Sequence, residues 1–294
     1  MKKWIVTLLT ICLLLCGCSM EVIVPEEEIP IPQLTVHYLD VGQADSILLE
    51  CEGEFMLIDG GNRDDGQMVV SYLEDCGVEE LQAVVCTHAH EDHVGGLPSV
   101  LAVYPTAAVY APTKTYASSV FDSFLYYVDQ QRLEVTLPAP GDKMTLGSAD
   151  ITVLGPVKSY PDPNNTSIVL LVEFGETRFL FTGDMEQLAE DDMLDYWGED
   201  MDFHADVLKV GHHGSYSSTH YRFLRAVLPT YGVICVGGNN EYGHPHRDPI
   251  SRLKDAEVQI YRTDKMYDIV CTSDGVDIEF TWENQYAKPW TPEK

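Results

Sequence analysis

The sequence predicts an α/β protein built as an αββα sandwich, in which two β-sheets pack face to face and helices cover their outer faces. Strand-like runs and helical segments are interspersed along both halves of the chain, a pattern typical of sheets covered by helices. Hydrophobic residues make up 45% of the 294 residues, which is ample for a buried core. We find no linker or internal repeat between residues 34 and 283, so one domain is the simplest interpretation.

The first part of this domain is expected to be rich in short strands. Apolar runs of strand length are separated there by glycine or charged residues. Gly77 follows a segment whose apolar residues recur at helical spacing, which indicates a helix that ends there. Strands are therefore predicted at 34–39, 46–51, 54–58 and 81–86, and helices at 67–76 and 94–103.

The remainder of the domain alternates between the two kinds of element, and the same criteria apply. Strands are predicted at 107–110, near 134, 145 and 151, and at 168–174, 178–182, 206–210, 231–236, 258–262, 266–272 and 276–281. Helices are predicted near 116–131, 187–196, 217–227 and 249–254.

The ends of the chain predict export and a lipid anchor. Lys2 and Lys3 precede an apolar stretch at 4–15 that is too short to span a bilayer. Leu-Cys-Gly-Cys at 15–18 resembles a bacterial lipobox, and Cys18 is the expected lipidated residue because the small Gly17 precedes it. We therefore predict a lipoprotein signal segment at 1–18, an acidic Pro-rich tether at 19–33, the domain at 34–283 and a polar tail at 284–294. The expected location is the outer face of the cell membrane, and secretion after ordinary signal cleavage is the alternative.

The charge of the chain limits its partners. Lys and Arg number 18 against 47 Asp and Glu, which gives a net charge of −29. A broad electrostatic grip on nucleic acid or on an anionic bilayer requires a basic surface, so neither is expected. An anionic substrate would need a local source of positive charge.

A cluster of histidines supplies a candidate for that charge. The segment 87–93 reads Thr-His-Ala-His-Glu-Asp-His and lies between a predicted strand and a predicted helix. His88 and His90 can bind one metal ion, and Asp92 and His93 a second. No Cys-x-x-Cys pair occurs among the cysteines of the domain. Imidazole and carboxylate ligands favour zinc or another first-row divalent ion such as manganese.

This His-x-His-x-Asp-His motif is the signature of the metallo-β-lactamase fold, and the sequence resembles that family. Four further motifs resemble the C-terminal metallo-β-lactamase-like domain of the ComEC family of competence DNA-uptake proteins. They are Tyr-Leu-Asp-Val-Gly-Gln-Ala-Asp-Ser at 38–46, Asn-Asn-Thr-Ser-Ile-Val-Leu at 164–170, Leu-Lys-Val-Gly-His-His-Gly-Ser at 208–215 and Gly-His-Pro-His at 243–246. The resemblance extends from residue 34 to about 281, and it implies a stand-alone domain carried by a lipoprotein.

The resemblance also implies a set of ligands for two divalent ions. Asp184, which follows a hydrophobic strand, would bridge the two ions. Many members of the fold have a further histidine ligand before this aspartate, but no histidine occurs from 94 to 183. The implied first site is His88, His90, Asp184 and one of His212 and His213, and the implied second site is Asp92, His93, Asp184 and His244.

Several other residues are expected near the ions. The histidine of the pair that does not bind metal would orient or protonate an anionic group, so Asp92, His212 and His213 are the predicted catalytic residues. Asp40 and Asp45 are predicted to orient imidazoles from a turn beside the site. Asn164, Asn165 and Ser167 would do the same or contact substrate, and Lys209 would face a phosphate or the surface.

The expected reaction is hydrolysis, because two bridged divalent ions generate hydroxide at neutral pH. The resemblance favours phosphorus as the electrophile, hence a phosphodiesterase or nuclease-like enzyme. Three alternatives remain, namely hydrolysis at carbon as in lactonases or β-lactamases, a surface phosphocholine esterase, and a non-catalytic surface-binding lipoprotein. Protein partners are not predicted.

Overall fold

The computed structural model describes residues 32–292, and their strands form two sheets. The strands are β1 (Leu34–Tyr38), β2 (Ile47–Cys51), β3 (Glu54–Ile58), β4 (Ala83–Val85), β5 (Val109–Tyr110), β6 (Val135–Thr136), β7 (Lys143–Leu146), β8 (Ala149–Gly155), β9 (Val169–Phe174), β10 (Thr177–Phe181), β11 (Val207–Lys209), β12 (Tyr231–Ile234), β13 (Gln259–Arg262), β14 (Ile269–Ser273) and β15 (Ile278–Trp282). The helices are α1 (Gly66–Asp75), α2 (Glu91–Val94), α3 (Leu97–Val103), α4 (Ser119–Gln130), α5 (Gln187–Trp197), α6 (Tyr221–Val227), α7 (Arg247–Asp255) and α8 (Thr263–Met266).

Both sheets combine antiparallel and parallel strands. The first has the order β15-β14-β1-β2-β3-β4-β5-β6, and the second has the order β13-β12-β11-β10-β9-β8-β7. Strands β3 to β6 run parallel to one another, as do β10 to β13. Parallel strands end at one edge of their sheet, and the loops that follow them are the usual place for ligand sites in α/β proteins.

One apolar core lies between the two sheets, and a further core lies between the outer face of each sheet and the helices that cover it. Between the sheets, Tyr38 of β1 lies against Phe181 of β10, with ring centroids 6.4 Å apart. Because successive strand residues face opposite ways, Leu180 points instead to the helices α5 to α7. On the other side, helices α1, α3 and α4 cover the first sheet. These layers confirm the predicted αββα sandwich.

Helix α4 shows how the local sequence sets an outer layer. The hydroxyl of Ser118 accepts a hydrogen bond from the backbone N–H of Val120 and so caps the helix. Its buried residues, Val120, Phe121, Phe124 and Val128, recur at helical spacing and face the first sheet.

Three local predictions differ from the structure. The helix predicted at 94–103 is two helices, because the His93 carbonyl accepts from the Gly60 N–H at 2.7 Å and the Gly96 N–H donates to the Gly61 carbonyl at 3.2 Å. Helix α8 occupies the start of the strand predicted at 266–272. In the segment predicted as a polar tail, Trp290 forms a β-bridge with Ile260.

The predicted export segment, Cys18 and most of the tether lie outside the described residues. Among residues 32–292, the helices lack the combination of length and apolar character needed to cross a membrane.

Candidate metal centre

The predicted ligands meet at the edge where parallel strands of both sheets end. His88, His90, Asp92 and His93 follow β4 in the first sheet. In the second sheet, Asp184 follows β10, and His212 and His213 follow β11. Because β10 and β11 are adjacent and parallel, their loops leave the sheet side by side. The sandwich therefore brings together residues that are more than a hundred positions apart in the chain.

One group of side chains consists of His88, His90, His212 and Asp184. His88 Nε2 lies 3.1 Å from His90 Nδ1. The Oδ2 atom of Asp184 lies 4.0 Å from His88 Nε2 and 3.6 Å from His212 Nε2. His88 and His212 thus face the same carboxylate oxygen, and His90 joins the group through His88.

A second group shares Asp184 with the first. Its members are Asp92, His93, His213 and Asp184, and each places one ligand atom within 4.8 Å of the others. Asp184 Oδ2 is 3.3 Å from His93 Nε2 and 3.5 Å from His213 Nε2. Asp92 Oδ2 is 3.3 Å from His213 Nε2. His213 is the fourth member of this group, where the resemblance implied His244.

Asp184 carries the charge that both groups surround. Burial alone would raise the pKa of its carboxyl, but His213, His93 and His212 outweigh burial and hold that pKa well below its usual range. Its Oδ1 atom and the Nε2 atom of His93 are buried and form no hydrogen bond within the described residues. Buried polar atoms without partners are uncommon and point to a bound ion or to a catalytic role.

The Nδ1 atoms of His93 and His88 are held by neighbouring side chains. His93 Nδ1 lies 2.8 Å from Asp59 Oδ2, and His88 Nδ1 lies 3.2 Å from the Thr87 hydroxyl. Thr87 also donates to Asp59 from its backbone N–H and its hydroxyl, each at 2.7 Å. These contacts direct the Nε2 atoms of both histidines toward Asp184, as is usual for metal-binding histidines.

Lys209, Asp45 and His213 form a chain of contacts. Lys209 is 1% exposed, and its Nζ lies 2.8 Å from Asp45 Oδ2. Asp45 Oδ1 lies 3.3 Å from His213 Nδ1. Burial alone would lower the pKa of His213, but Asp184 and Asp45 raise it to about 10. Lys209 therefore faces neither the solvent nor a substrate, and it neutralises the carboxylate beside His213, whose Nδ1 is hydrogen-bonded to the Cys235 carbonyl at 3.0 Å.

Asn165, Ser167 and Glu186 fix the other side of the centre. The Ser167 hydroxyl accepts a hydrogen bond from the Asp184 N–H at 3.0 Å. Asn165 Nδ2 donates to Glu186 Oε2 at 3.2 Å, and Glu186 Oε1 lies 3.4 Å from His212 Nδ1. Asn165 and Ser167 therefore act through His212 and Asp184.

The backbone at the two central histidines is strained. Both His212 and His213 have a φ of 51°, in the left-handed region that residues with a Cβ seldom adopt. Such strain persists only where surrounding contacts impose it, and it is concentrated at functional sites.

His244 lies at the rim of the centre. Its ring centroid is 5.6 Å from that of His212 and 6.3 Å from that of His213. Its Nδ1 lies 3.2 Å from Gln43 Nε2. Burial, together with His213 and His212, lowers the pKa of His244 to about 4. The geometry thus assigns His244 to the wall of the site and leaves it outside the two groups.

Asp40 is not brought into the centre. Its N–H donates to Asp268 at 2.7 Å, and its carboxylate accepts from the N–H of Gly42 at 3.3 Å. The contacts of Asp40 in the described chain therefore do not bear out the expectation that it orients an imidazole.

An open cavity of about 410 Å³ leads to the two groups. It is lined by Gln43, His90, Glu91, Asp92, Asn164, Asp184, His212, His213, Tyr242 and His244. No Lys or Arg is among these described lining residues, so positive charge for an anion must come from the imidazoles or from bound cations.

Asp59, Glu186 and Tyr242 were missed by the sequence reasoning. Asp59 directly follows β3, which is parallel to β4, so the strand-end argument that identified His88 would also have found it. Glu186 lies two residues beyond Asp184. Tyr242 lies in a long loop and gave no comparable signal.

Known proteins match this chain in sequence and in fold. Residues 39–238 match the sequence profile of the Metallo-beta-lactamase superfamily. The chain is 28% identical over 251 residues to ComE operon protein 3 of Bacillus subtilis. The aligned region covers 78% of this chain and 32% of that protein. It is 28% identical over 240 residues to competence protein ComA of Neisseria gonorrhoeae, covering 81% of this chain and 32% of that protein. The chain thus spans about a third of the length of these relatives.

A solved structure with the same fold is that of the metallo-beta-lactamase fold protein YhfI from Bacillus subtilis. It aligns with a TM-score of 0.56 and 14% identity, over 82% of this chain and 100% of that one. At this identity the likeness concerns the fold alone.

Proposed function

Because the chain belongs to the metallo-beta-lactamase superfamily, we propose that it is a two-metal phosphodiesterase. The observation that carries the proposal is the position of Asp184 Oδ2, which lies within 4.0 Å of the Nε2 atoms of His88, His93, His212 and His213. One carboxylate oxygen shared by two groups of imidazoles is the arrangement that a pair of bridged divalent ions requires.

The donor set fits such ions. Ligand atoms around a tetrahedral zinc ion, each about 2 Å from the metal, lie about 3.4 Å apart. The measured separations between ligand atoms that face each other range from 3.1 Å for His88 and His90 to 4.0 Å for His88 and Asp184. His88, His90, Asp184 and His212 would hold one ion, and Asp92, His93, Asp184 and His213 the other. Nitrogen and oxygen ligands suit zinc and manganese alike.

When bound, two divalent ions supply Lewis-acid chemistry, since they polarise a phosphoryl oxygen and lower the pKa of water. The protein supplies orientation and the shape of the cavity. Asp59 holds the ring of His93, the Cys235 carbonyl and the nearby Asp45 hold that of His213, and Glu186 lies against His212. Tyr242 and His244 form part of the cavity wall.

Phosphorus is favoured as the electrophile by the kinship with the competence proteins. One of these relatives is named competence protein ComA, and a substrate related to nucleic acid fits that name. The net charge of −29 argues against a long basic groove. We therefore infer a short contact at the cavity and a weak dependence of activity on salt, without a processive grip on DNA.

We further propose that the enzyme is exported and anchored through Cys18 to the outer face of the cell membrane. The support is the lipobox-like Leu-Cys-Gly-Cys at 15–18 behind a basic and apolar stretch. Metabolic labelling with a radioactive or clickable fatty acid tests this point. Wild type should incorporate the label and Cys18→Ala should not, and equal labelling of both proteins would contradict the proposal.

The activity is tested on the chain without its first 18 residues, loaded with zinc or with manganese. Bound metal is measured by mass spectrometry, and hydrolysis is measured with bis-p-nitrophenyl phosphate, single-stranded and duplex DNA, and a β-lactam chromophore. We expect about two ions per chain and phosphodiester hydrolysis that Asp184→Asn removes. His204 belongs to neither metal group, and its N–H donates to Asp202. His204→Gln is thus a matched control that should keep full activity.

Two results would reject the two-metal phosphodiesterase. One is a wild-type protein that binds no metal, and the other is equal phosphodiesterase activity in wild type and Asp184→Asn. Activity on the lactam alone would move the electrophile from phosphorus to carbon. Metal binding without any hydrolysis would favour a surface-binding protein.

A further inference from the structure

Asn164 presents an uncommitted side-chain amide to the cavity. It lies in the 3₁₀ turn Pro163–Thr166 and lines the same cavity as His90, Asp92 and Asp184. The residue is only 8% exposed. Its Oδ1 atom is buried without a hydrogen-bond partner in residues 32–292. Its Nδ2 atom forms no hydrogen bond within these residues either, and unlike Oδ1 it is not buried, so the donor end of the amide is open to a ligand in the cavity.

The backbone of Asn164 is fixed even though its side chain is not engaged. Its N–H donates to Asp162 Oδ1 at 3.0 Å. Its carbonyl oxygen accepts from the N–H of Ser167 at 3.1 Å and from the Ser167 hydroxyl at 2.7 Å. The same hydroxyl accepts a hydrogen bond from the N–H of Asp184. The Ser167 oxygen therefore links the Asn164 backbone to the backbone of the residue that carries the shared carboxylate. The amide is therefore pre-positioned with respect to the centre.

The neighbouring amides are already used within the protein. Asn165 Oδ1 accepts from the backbone N–H groups of Glu186 and Ala189, and its Nδ2 donates to Glu186. Gln43, which also lines the cavity, has its Nε2 atom 3.2 Å from His244 and accepts from the N–H of Gly237. Asn164 differs from both, since a ligand can pair with its amide without breaking a protein hydrogen bond.

The charge of the cavity explains why a neutral donor is useful there. Asp92, Asp184 and Glu91 line it, and its described lining contains no Lys or Arg. Bound cations can face only some of the oxygens of a phosphodiester, and the others meet carboxylates unless a donor intervenes. Because Oδ1 is buried and Nδ2 is not, Nδ2 is the end of the Asn164 amide that a ligand in the cavity can reach.

We propose that the Asn164 Nδ2 donates a hydrogen bond to a non-bridging oxygen of the substrate phosphodiester. This inference rests on the proposed function, and it adds to it a residue that touches the substrate and does not bind the metal. A donor aimed at oxygen that gains charge in the transition state typically contributes a factor of about 10² to 10³ to kcat. Asn164 would thus act mainly on kcat and to a smaller extent on substrate binding.

The test compares Asn164→Ala, Asn164→Asp and Asn165→Ala in the metal-loaded protein. Calorimetry measures the binding of inorganic phosphate, mass spectrometry measures bound metal, and thermal unfolding of the metal-free protein measures Tm. We expect Asn164→Ala to weaken phosphate binding about tenfold with full metal content and an unchanged or higher Tm. Asn164→Asp should weaken binding further, because it adds a charge that repels phosphate.

Two controls separate this role from a structural one. Asn165→Ala should lower the Tm, because it removes hydrogen bonds that the protein itself uses. Asn284 lies on the surface, where its Nδ2 donates to the Lys265 carbonyl. Asn284→Ala should therefore leave phosphate binding and Tm at wild-type values.

The inference is overturned if Asn164→Ala binds phosphate as wild type does. It is also overturned if metal content falls with activity, which would make Asn164 a metal ligand, or if the Tm falls as far as in Asn165→Ala. Hydrolysis of bis-p-nitrophenyl phosphate is a separate arm, in which Asn164→Ala should lower kcat about a hundredfold. If wild type bound phosphate but hydrolysed no phosphodiester, the proposed function would fail, and the binding and Tm arms would still decide the role of Asn164.

Discussion

Replacing Lys209 by methionine is expected to destabilise the protein more than the loss of any surface charge would. Lys209 is 1% exposed, and its ammonium group lies 2.8 Å from Asp45 Oδ2. Burial alone would raise the pKa of Asp45, but Lys209 and His213 outweigh burial and lower that pKa. The Met side chain fills a similar volume without the charge, so the buried carboxylate loses its main partner.

The size of the effect follows from this separation. At 2.8 Å, two unit charges attract by about 6 kcal/mol at an effective dielectric constant of 20. Part of that loss is recovered when Asp45 takes up a proton or water reaches it, so the measured cost should be about 3–5 kcal/mol, as for other broken buried pairs. The partly exposed pair of Lys158 and Asp192, 2.6 Å apart, provides the comparison. Lys158→Met should cost less than about 1 kcal/mol, because solvent screens that pair.

The assay is urea unfolding of the metal-free protein, followed by tryptophan fluorescence. It is applied to Lys209→Met, to Asp45→Asn and to the double variant. In the double variant the carboxylate that Lys209 neutralised is gone, so we expect it to be more stable than Lys209→Met alone. The interaction term of this cycle should exceed about 1.5 kcal/mol.

Two results would refute this reasoning. If Lys209→Met cost no more than Lys158→Met, the ion pair would not contribute as a buried pair does. If the costs of Lys209→Met and Asp45→Asn were simply additive, the two side chains would not act on each other. Either result would also remove Asp45 and Lys209 from the account of how His213 is held.

Three further outcomes are expected. Gly96→Ala should destabilise the fold by about 1–3 kcal/mol in urea unfolding, because its Cβ would lie 2.0 Å from the Gly60 oxygen; Gly238→Ala, whose nearest neighbour atom would be 3.9 Å away, is the control and should cost clearly less. Burial lowers the pKa of His37 to about 4, below its unfolded value of about 6.5, so the stability it contributes above pH 6.5 is lost as the pH falls toward 4. Wild type should therefore lose about 2 kcal/mol more than His37→Gln between pH 7.5 and pH 5, and parallel losses in urea unfolding would contradict this. Removal of metal with a chelator should lower the Tm reversibly, by an amount equivalent to about 3 kcal/mol for a site held at a hundred times its Kd; calorimetric scans of Asp184→Asn should show little of this shift, and an equal shift would argue against the shared carboxylate.

The parts of the molecule that follow from local sequence were predictable. His88, His90 and Asp92 follow a buried strand, and so does Asp184, so strand periodicity alone locates them at the edge of a sheet. The αββα layers follow from the same strand and helix pattern.

Other features depend on contacts between distant segments and leave no local signal. The residues around Gly96 have a continuous helical pattern, and the helix is interrupted between α2 and α3 because Gly60 and Gly61 hydrogen-bond to the backbone of His93 and Gly96. Lys209 is in a strand where either face is possible, and only the approach of Asp45 from the first sheet makes burial of its charge tolerable. The choice between His213 and His244 is of this kind too, since the path of the loop after β12 decides which ring reaches Asp92.

The distribution of charge in the centre is compatible with an acidic protein acting on the anionic substrate that we propose. The protein places its one fully buried lysine of the centre behind His213, where it neutralises Asp45, and places no described Lys or Arg along the cavity. A lysine in the cavity would compete with divalent cations for Asp92 and Asp184, because it would be a permanent charge within the same few ångströms. With Lys209 withdrawn and Asn164 as the proposed neutral donor, the carboxylates are left free for metal, and bound metal would supply the charge that an anion needs. The strength of substrate binding should therefore follow metal occupancy much more closely than ionic strength.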